Sequence, residues 1–314
     1  VAEAERRDIV VVGASAGGVT ALQKVAAGIP AGFEGSVCMV LHLLPRSESL
    51  LPGLITRAGA RTAVHPADQA RLAPGSVYIA PPDRHLEMQD GVVRITKGPK
   101  ENCHRPSIDV LFRSAAHAHG RRVIGALLTG ADDDGAAGLK QIRDCGGITI
   151  VQDPAEAEFP EMPTSAIRLF EPHHTLPVAK IGALIGRLAA EELKAPTVVC
   201  DPSAEPEKQR GHPSTFICPD CGGVMWELEE EGLLRYRCRV GHAHSAGSMA
   251  DATAANVERS LWAAVRALEE SAELSRRVGR RTAVLRADME RKAAEREAHA
   301  RHLRRILENG GSPS

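Results

Sequence analysis

The stretch Asp8-Ile-Val-Val-Val-Gly-Ala-Ser-Ala-Gly-Gly18 constrains this chain more than any other. Its β-branched run, Ile9 to Val12, reads as a short buried strand. Gly13 and Gly17-Gly18 flank Ser15 and leave room for a tight turn, because no Cβ obstructs it. Val19, Leu22, Gln23 and Val25-Ala26 then read as an amphipathic helix. The outcome is a strand, a sharp turn and a helix, with one hydroxyl at the apex. Gly13-Ala-Ser15-Ala-Gly17 fits the G-x-S-x-G pattern of a nucleophile elbow, and the N–H groups opening the helix could also hold an anion. Two plainer readings compete. A dinucleotide loop wants glycine where Ser15 stands and an acidic residue about 20 positions further on, but the next strand, Ser36 to Leu41, ends in His42. A structural turn would use Ser15 only to cap the helix.

The rest of the chain weighs on that choice. Strand-like runs at Ile9–Val12, Val37–Leu41, Val77–Ala80, Val92–Thr96, Val123–Leu128 and Ile148–Gln152 alternate with helical patterns. The helical patterns fall at Val19–Ala27, Leu50–Ala58, Ile108–His119, Ala136–Cys145 and Val178–Ala190. The alternation predicts an α/β fold: a doubly wound, mostly parallel sheet with helices on both faces. Val77–Ala80 and Val92–Thr96, around Gly91, suggest an antiparallel hairpin at one edge. Ligands in such sheets bind beyond the carboxyl ends of the strands. Three ends carry chemistry: Ser15 after the first strand, His42 after the second, and Thr129-Gly-Ala-Asp-Asp-Asp-Gly135 after the run from Val123. A serine hydroxyl needs an adjacent base, a histidine titrates in the useful range, and a carboxylate fixes its tautomer. The order Ser, His, Asp is not that of the α/β-hydrolases, but a triad is defined by geometry and not by order.

At 314 residues, one large domain and something smaller are expected. The formal charge of -1 gives no reason to expect nucleic acid or an anionic membrane as partner. Val1 to Arg7 does not resemble a signal peptide and no apolar run reaches a bilayer span, so the expected location is cytoplasmic.

The seven cysteines are uneven, with Cys218, Cys221 and Cys238 clustered. Together with His242 they give C-x2-C, sixteen residues, then C-x3-H. This spacing points to a closed, tetrahedral, structural zinc site resembling a zinc ribbon, and a module of about thirty residues needs such a staple. His242 is preferred as fourth ligand because Gly241 lets the second knuckle turn, with His244 as the alternative. Thr197 to Ser214 reads as a flexible connector. From Ala250 to Leu307 the chain is rich in Ala, Glu and Arg. Val257, Leu261, Val265 and Leu268 make one helical face, Gly279 is a candidate break, and the region is either a helical hairpin or a surface for a helical partner.

From Asp8 to about Ala190 the sequence resembles the catalytic domain of the chemotaxis receptor methylesterases, the CheB type. The motifs that carry this are Val12-Gly-Ala-Ser-Ala-Gly-Gly18, Leu41-His42, Arg105-Pro-Ser-Ile-Asp-Val-Leu-Phe-Arg-Ser-Ala115, Leu128-Thr-Gly-Ala-Asp-Asp-Asp-Gly-Ala-Ala-Gly138, and Gln152-Asp-Pro with Glu161-Met-Pro163 and Ala166-Ile167. The resemblance implies hydrolysis of glutamate methyl esters on chemoreceptor-like proteins and, in many members, glutamine deamidation. By position Ser15 matches the nucleophile, His42 the base, Asp134 the third member and the N–H of Ala131 an oxyanion donor. Ala16 lies beside the site. The family usually has Met at the position of Ala131 and Thr at that of Ala16, a departure that bears on substrate preference. The first catalytic strand begins at once, so the resemblance implies a stand-alone form without the family's receiver domain. No cofactor is expected for catalysis. The expected division is a catalytic domain at 1–194, a linker at 195–214, a ribbon at 215–247 and helices at 248–314. A metal site beyond a linker is expected to leave ester hydrolysis untouched. The rival reading is a non-enzymatic or weakly active adaptor that uses the fold as a binding platform.

Overall fold

The computed structural model describes residues 5–45, 48–59, 61–89, 91–193, 211–230 and 233–308. In chain order the first part runs β1 (Ile9–Ala14), α1 (Gly18–Gly28), β2 (Ser36–Leu41), α2 (Leu51–Ala58), β3 (Ala63–Val64), β4 (Ala70–Arg71), β5 (Val77–Ile79), β6 (His85–Gln89) and β7 (Val92–Thr96). It continues α3 (Ile108–His119), β8 (Val123–Leu127), α4 (Ala136–Asp144), β9 (Ile148–Gln152), α5 (Glu161–Leu169), β10 (His174–Leu176) and α6 (Val178–Ala190). Four strands follow, β11 (His212–Ile217), β12 (Val224–Glu230), β13 (Leu233–Cys238) and β14 (Ala243–Ser245), and then α7 (Ala246–Arg281) and α8 (Arg286–Glu308).

The main sheet has the order β10-β9-β8-β1-β2-β5-β3, and its strands pair in parallel. β1 is buried on both faces, which is why its sequence is continuously apolar and not alternating. Val10 and Val12 join a core with Leu22, Val25, Ile181 and Ile185 of α1 and α6, whereas Ile9 and Val11 join one with Leu111, Phe112, Leu139 and Ile142 of α3 and α4. The chain builds outward from β1 through β2, then returns to the other side of β1 as β8. This reversal is the crevice where open parallel sheets bind ligands.

The edge hairpin expected from Val77–Ala80 and Val92–Thr96 does not form. β5 lies inside the main sheet, parallel to β2 and β3, and β7 pairs antiparallel with β6 in a separate sheet of order β4-β7-β6. The missing partner, His85–Gln89, buries Leu86 and Met88 but carries Glu87 between them and polar residues at both ends, so no apolar run marks it. α5 has no sequence forecast either. Pro163 looks like a breaker but falls in the first turn of α5, where no backbone N–H partner is needed.

The strand β11 begins at His212, within the expected connector, and residues 194–210 lie outside the described ones. β11 to β14 form an antiparallel sheet with Cys218, Met225, Tyr236, Cys238 and Met249 buried together. The ribbon packs against the α/β fold, and the chain through Met249 is one compact unit. The Asn102 N–H donates to the Ala243 carbonyl at 2.8 Å and the Ala243 N–H to the Lys100 carbonyl at 3.2 Å.

The second unit, from Ala250, holds most of α7 together with α8. Arg276 pairs with Glu290 and Glu297, Arg304 pairs with Glu269, and Val265, Ala272, Ala293 and Ala300 are buried. Gly279 sits within α7 and does not end it. Among the described residues no helix is long and apolar enough to cross a membrane.

Gly13 belongs to β1 and not to the turn, and a Cβ there would come within 2.3 Å of Ile108 Cγ2 at the start of α3. Gly13→Ala should therefore lower stability by about 1–3 kcal/mol in denaturant titrations. A double-mutant cycle with Ile108→Ala should show coupling of about 1 kcal/mol or more, and additivity would mean that the contact is not the cause.

Candidate active site

Ser15 follows the last residue of β1, and its backbone is tied on both sides. Its N–H donates to the Thr129 carbonyl beyond β8 at 3.0 Å, and its carbonyl accepts the Gly18 N–H at 2.9 Å. Gly17, just before α1, stands at φ 71°, a conformation that a side chain would strain. The end of β2 is held close by the His42 N–H, which donates to the Ala14 carbonyl at 3.3 Å. Three neighbouring parallel strands, β8, β1 and β2, thus end at one place.

His42 joins the other two groups. Its Nδ1 lies 3.1 Å from Ser15 Oγ and its Nε2 lies 2.8 Å from Asp134 Oδ2. The two ring nitrogens are used in the opposite sense to the serine-protease template, where Nε2 faces the serine. Either nitrogen can act as base once the other holds its proton against a carboxylate.

Asp134 is fully buried. Besides His42, its Oδ2 accepts the Ile108 N–H at 2.6 Å, while Oδ1 accepts Asn102 Nδ2 at 2.9 Å, Ser107 Oγ at 2.8 Å and the Asp109 N–H at 3.3 Å. Ser107 has the look of a helix cap, but its hydroxyl turns to Asp134, and that carboxylate takes the first N–H groups of α3. Burial alone would raise the proton affinity of Asp134. The His42 hydrogen bond, the neighbouring imidazoles and the N-terminus of α3 outweigh it and hold the carboxyl well below the usual carboxylate range.

The other loop residues take different places. Asp132 stands at φ 71°, 3.9 Å from His104 Nε2, and Asp133 Oδ2 accepts Ser245 Oγ at 2.6 Å. Of the three aspartates only Asp134 reaches His42. A Cβ on Gly130 would lie 2.8 Å from Ser15 Cβ, so Ala131 begins beside the serine. The Ala16 carbonyl accepts Thr129 Oγ1 at 3.1 Å. Gln152 Oε1 in turn accepts the Thr129 N–H at 2.8 Å, and Gly130 exchanges backbone bonds with Phe159 and Met162. The Gln152-Asp-Pro and Glu161-Met-Pro motifs therefore buttress the loop without entering it.

Three important residues escaped the sequence reading. The His104 ring stacks on His42 with centroids 3.6 Å apart and planes 8° apart. Burial, then the His42 charge, lowers its proton affinity, which favours a neutral partner for the stack. Asp109 accepts the Gly135 and Gly138 N–H groups at 3.0 and 2.7 Å and so fixes the chain just after Asp134. Asn102 joins the two carboxylates, its Nδ2 also reaching Asp109 Oδ2 at 2.9 Å. His104 and Asp109 lie in or next to the Arg105-Pro-Ser-Ile-Asp stretch, whose density of polar residues ahead of an apolar helix was the available signal.

In the ribbon, Cys218, Cys221, Cys238 and His242 bring their donor atoms within 4.8 Å of one another. Cys218 Sγ and Cys238 Sγ lie 3.7 and 3.5 Å from His242 Nδ1, and Cys221 Sγ lies 3.7 Å from Cys238 Sγ. This cluster can hold a structural metal ion. His244 is fully buried with Nδ1 on Ser248 Oγ at 3.1 Å and Nε2 facing Asp220 at 3.3 Å. With Cys218 and Asp220 it makes a second, overlapping set.

The profile of the CheB methylesterase family matches residues 10–185. The Thermotoga maritima CheB methylesterase catalytic domain superimposes with a TM-score of 0.55 at 31% identity, covering 58% of this chain and 98% of that one. A protein-glutamate methylesterase/protein-glutamine glutaminase of Anaeromyxobacter dehalogenans is 40% identical over 183 residues, 57% of this chain and 53% of its own length. The protein-glutamate methylesterase FrzG of Myxococcus xanthus is 37% identical over 181 residues, 56% of this chain and 53% of its own length. This chain thus spans about half of those two relatives, whereas a Leptospira interrogans relative, 35% identical over 188 residues, is matched over 97% of its length. The chain belongs to the CheB methylesterase family.

Proposed function

We propose that the chain hydrolyses the γ-methyl esters of glutamate side chains, and the γ-amides of glutamine, on chemoreceptor-like signalling proteins through Ser15, His42 and Asp134. The observation that carries this is the placement of His42 between Ser15 Oγ and Asp134 Oδ2. Ser15 Oγ attacks the ester carbonyl carbon while His42 Nδ1 takes its proton. Asp134 stays ionised and steadies the imidazolium through Nε2. The backbone N–H of Ala131 receives the oxyanion, and Ala16 borders the same space. Collapse breaks the bond to the leaving oxygen, His42 returns the proton, methanol departs and a glutamyl-Ser15 ester remains. Water activated by His42 then releases glutamate and free Ser15. With glutamine, ammonia leaves in place of methanol.

The metal we assign to the ribbon is zinc, held by Cys218, Cys221, Cys238 and His242. Zinc bonds to sulfur at about 2.3 Å and to nitrogen at about 2.0 Å, so tetrahedral neighbours lie roughly 3.5–3.8 Å apart. The separations of 3.5 and 3.7 Å in the cluster fit that spacing. All four positions are filled by protein, so the ion takes no part in the chemical steps.

Ser15→Ala and His42→Ala should each reduce methanol release at least about a thousandfold, and the double mutant should be little worse, because such groups act as a unit. Asp134→Asn should lose about 10³- to 10⁴-fold and Asp132→Asn little. A fluorophosphonate probe should label Ser15 in the native chain. Folded protein that does not label would favour a binding platform over an enzyme.

The carboxyl of Asp134 is held down on folding. Its contribution is therefore present above the ordinary carboxylate value of about 3.9 and is lost as pH falls through the lower folded value. The stability gap between the native chain and Asp134→Asn should be widest near neutral pH and should narrow below about pH 4. A gap that widens in acid would contradict the assignment. For the metal, elemental analysis should find about one zinc per chain, lost in Cys218→Ser or Cys238→Ser protein. Zinc retained in both variants would place it elsewhere.

A further inference from the structure

The ribbon touches the carboxylate network behind the catalytic histidine. Asn102 is 2% exposed and has a positive φ of 49°, a strained region that asparagine tolerates better than most residues. Two of its groups are held by β14: its N–H by the Ala243 carbonyl at 2.8 Å, and its Oδ1 by the Ser245 N–H at 2.9 Å. Its Nδ2 faces the other way, to Asp134 Oδ1 and Asp109 Oδ2 at 2.9 Å each. The amide is thus a bridge from the ribbon to Asp134.

Arg235 of β13 makes a second bridge. It is 4% exposed and reaches Asp109 Oδ2 at 3.2 Å and Glu101 Oε2 at 3.4 Å. Asp109 and Asp134 are two buried carboxylates on one amide, and such a pair resists double ionisation unless cations compensate. The charged and titratable groups around them include His42, His104 and Asp133 on the Asp134 side, and Arg235, with Arg113 on Glu101, on the Asp109 side. Removing Arg235 strands a buried carboxylate that anchors the Gly135 and Gly138 amides next to Asp134.

The candidate metal ligands flank the turn behind this geometry. β13 ends at Cys238, β14 starts one residue after His242, and the two strands pair Arg235 with Ser245 and Arg237 with Ala243. An ion held by Cys238 and His242 would brace the turn that sets Arg235, Ala243 and Ser245 against Asp109 and Asn102.

We propose that the metal-loaded ribbon is an internal clamp on the catalytic carboxylate, with Arg235 and Asn102 as positioning residues. This inference rests on the triad reading above. It replaces the expectation that ester hydrolysis is indifferent to the metal.

The test uses the full, metal-loaded chain, the rate of Ser15 labelling by a fluorophosphonate, and methanol release from a methyl-esterified receptor peptide. Arg235→Met should lower the labelling rate and kcat at least about tenfold with KM within about twofold, with the metal retained and the chain still folded, though with a lower thermal transition. Arg235→Lys should recover most of the loss. Stripping the native chain with a chelator should slow labelling to the same level, speed amide hydrogen exchange over residues 102–109, and add little to Arg235→Met. If Arg235→Met does not fold, the chelated native chain and Arg235→Lys carry the test. Native labelling rates in the stripped chain, or in folded Arg235→Met, would overturn the clamp and leave the hydrolase reading intact. A native chain that never labels would overturn that reading, and the clamp with it.

Discussion

The arrangement depends on one buried anion. Asp134 has no contact with solvent, and an isolated carboxylate there would lose several kcal/mol of solvation. Each charge-assisted hydrogen bond returns about 1.5–3 kcal/mol, so a cage drawn from His42, Asn102, Ser107, Ile108 and Asp109 is enough to keep the charge in place. The same bonds fix where β2, α3 and α4 meet. Orientation of this carboxylate and local folding are therefore one problem here, because the groups that keep Asp134 ionised are also those that hold it in place.

The parallel sheet explains why this cage lies next to Ser15. β8, β1 and β2 are neighbours that run the same way, so their carboxyl ends share one edge of the sheet and their loops converge. Core residues on both faces of β1 hold that edge rigid, and Gly13 lets the start of α3 come within contact of the strand. Precise side chains on such a platform need little further ordering when substrate arrives.

The ribbon adds a further set of contacts. Its strands do not cover a separate function on a tether; they reach Asn102, Asp109 and Asp133 with direct hydrogen bonds. The cluster of cysteines and a histidine thus lies one strand pair away from the carboxylate network. In physical terms the coupling is short: one strand pair, one guanidinium and one amide.

Much of this was legible in the residues. The alternation of apolar runs and amphipathic patterns fixed the parallel α/β fold, because a strand buried on both faces must be continuously apolar and a helix on a sheet must be amphipathic. Ser15, His42 and the aspartate loop could be marked because strand ends carry the chemistry in such sheets, and the cysteine spacing could be read because metal geometry is local. What the sequence left open involved groups distant along the chain. His85–Gln89 pairs with β7 although its own pattern is mixed. His104 stacks on a histidine 62 positions away. Ser107 looks like a cap and serves Asp134 instead. The contact of Arg235 with Asp109 spans 126 positions. Local pattern records which face a residue hides, but a buried polar group finds its partner only when distant segments are packed together, so the serine, the fold and the ligand spacing belong to the sequence, while the cage around Asp134 and the ribbon's hold on it belong to the tertiary structure.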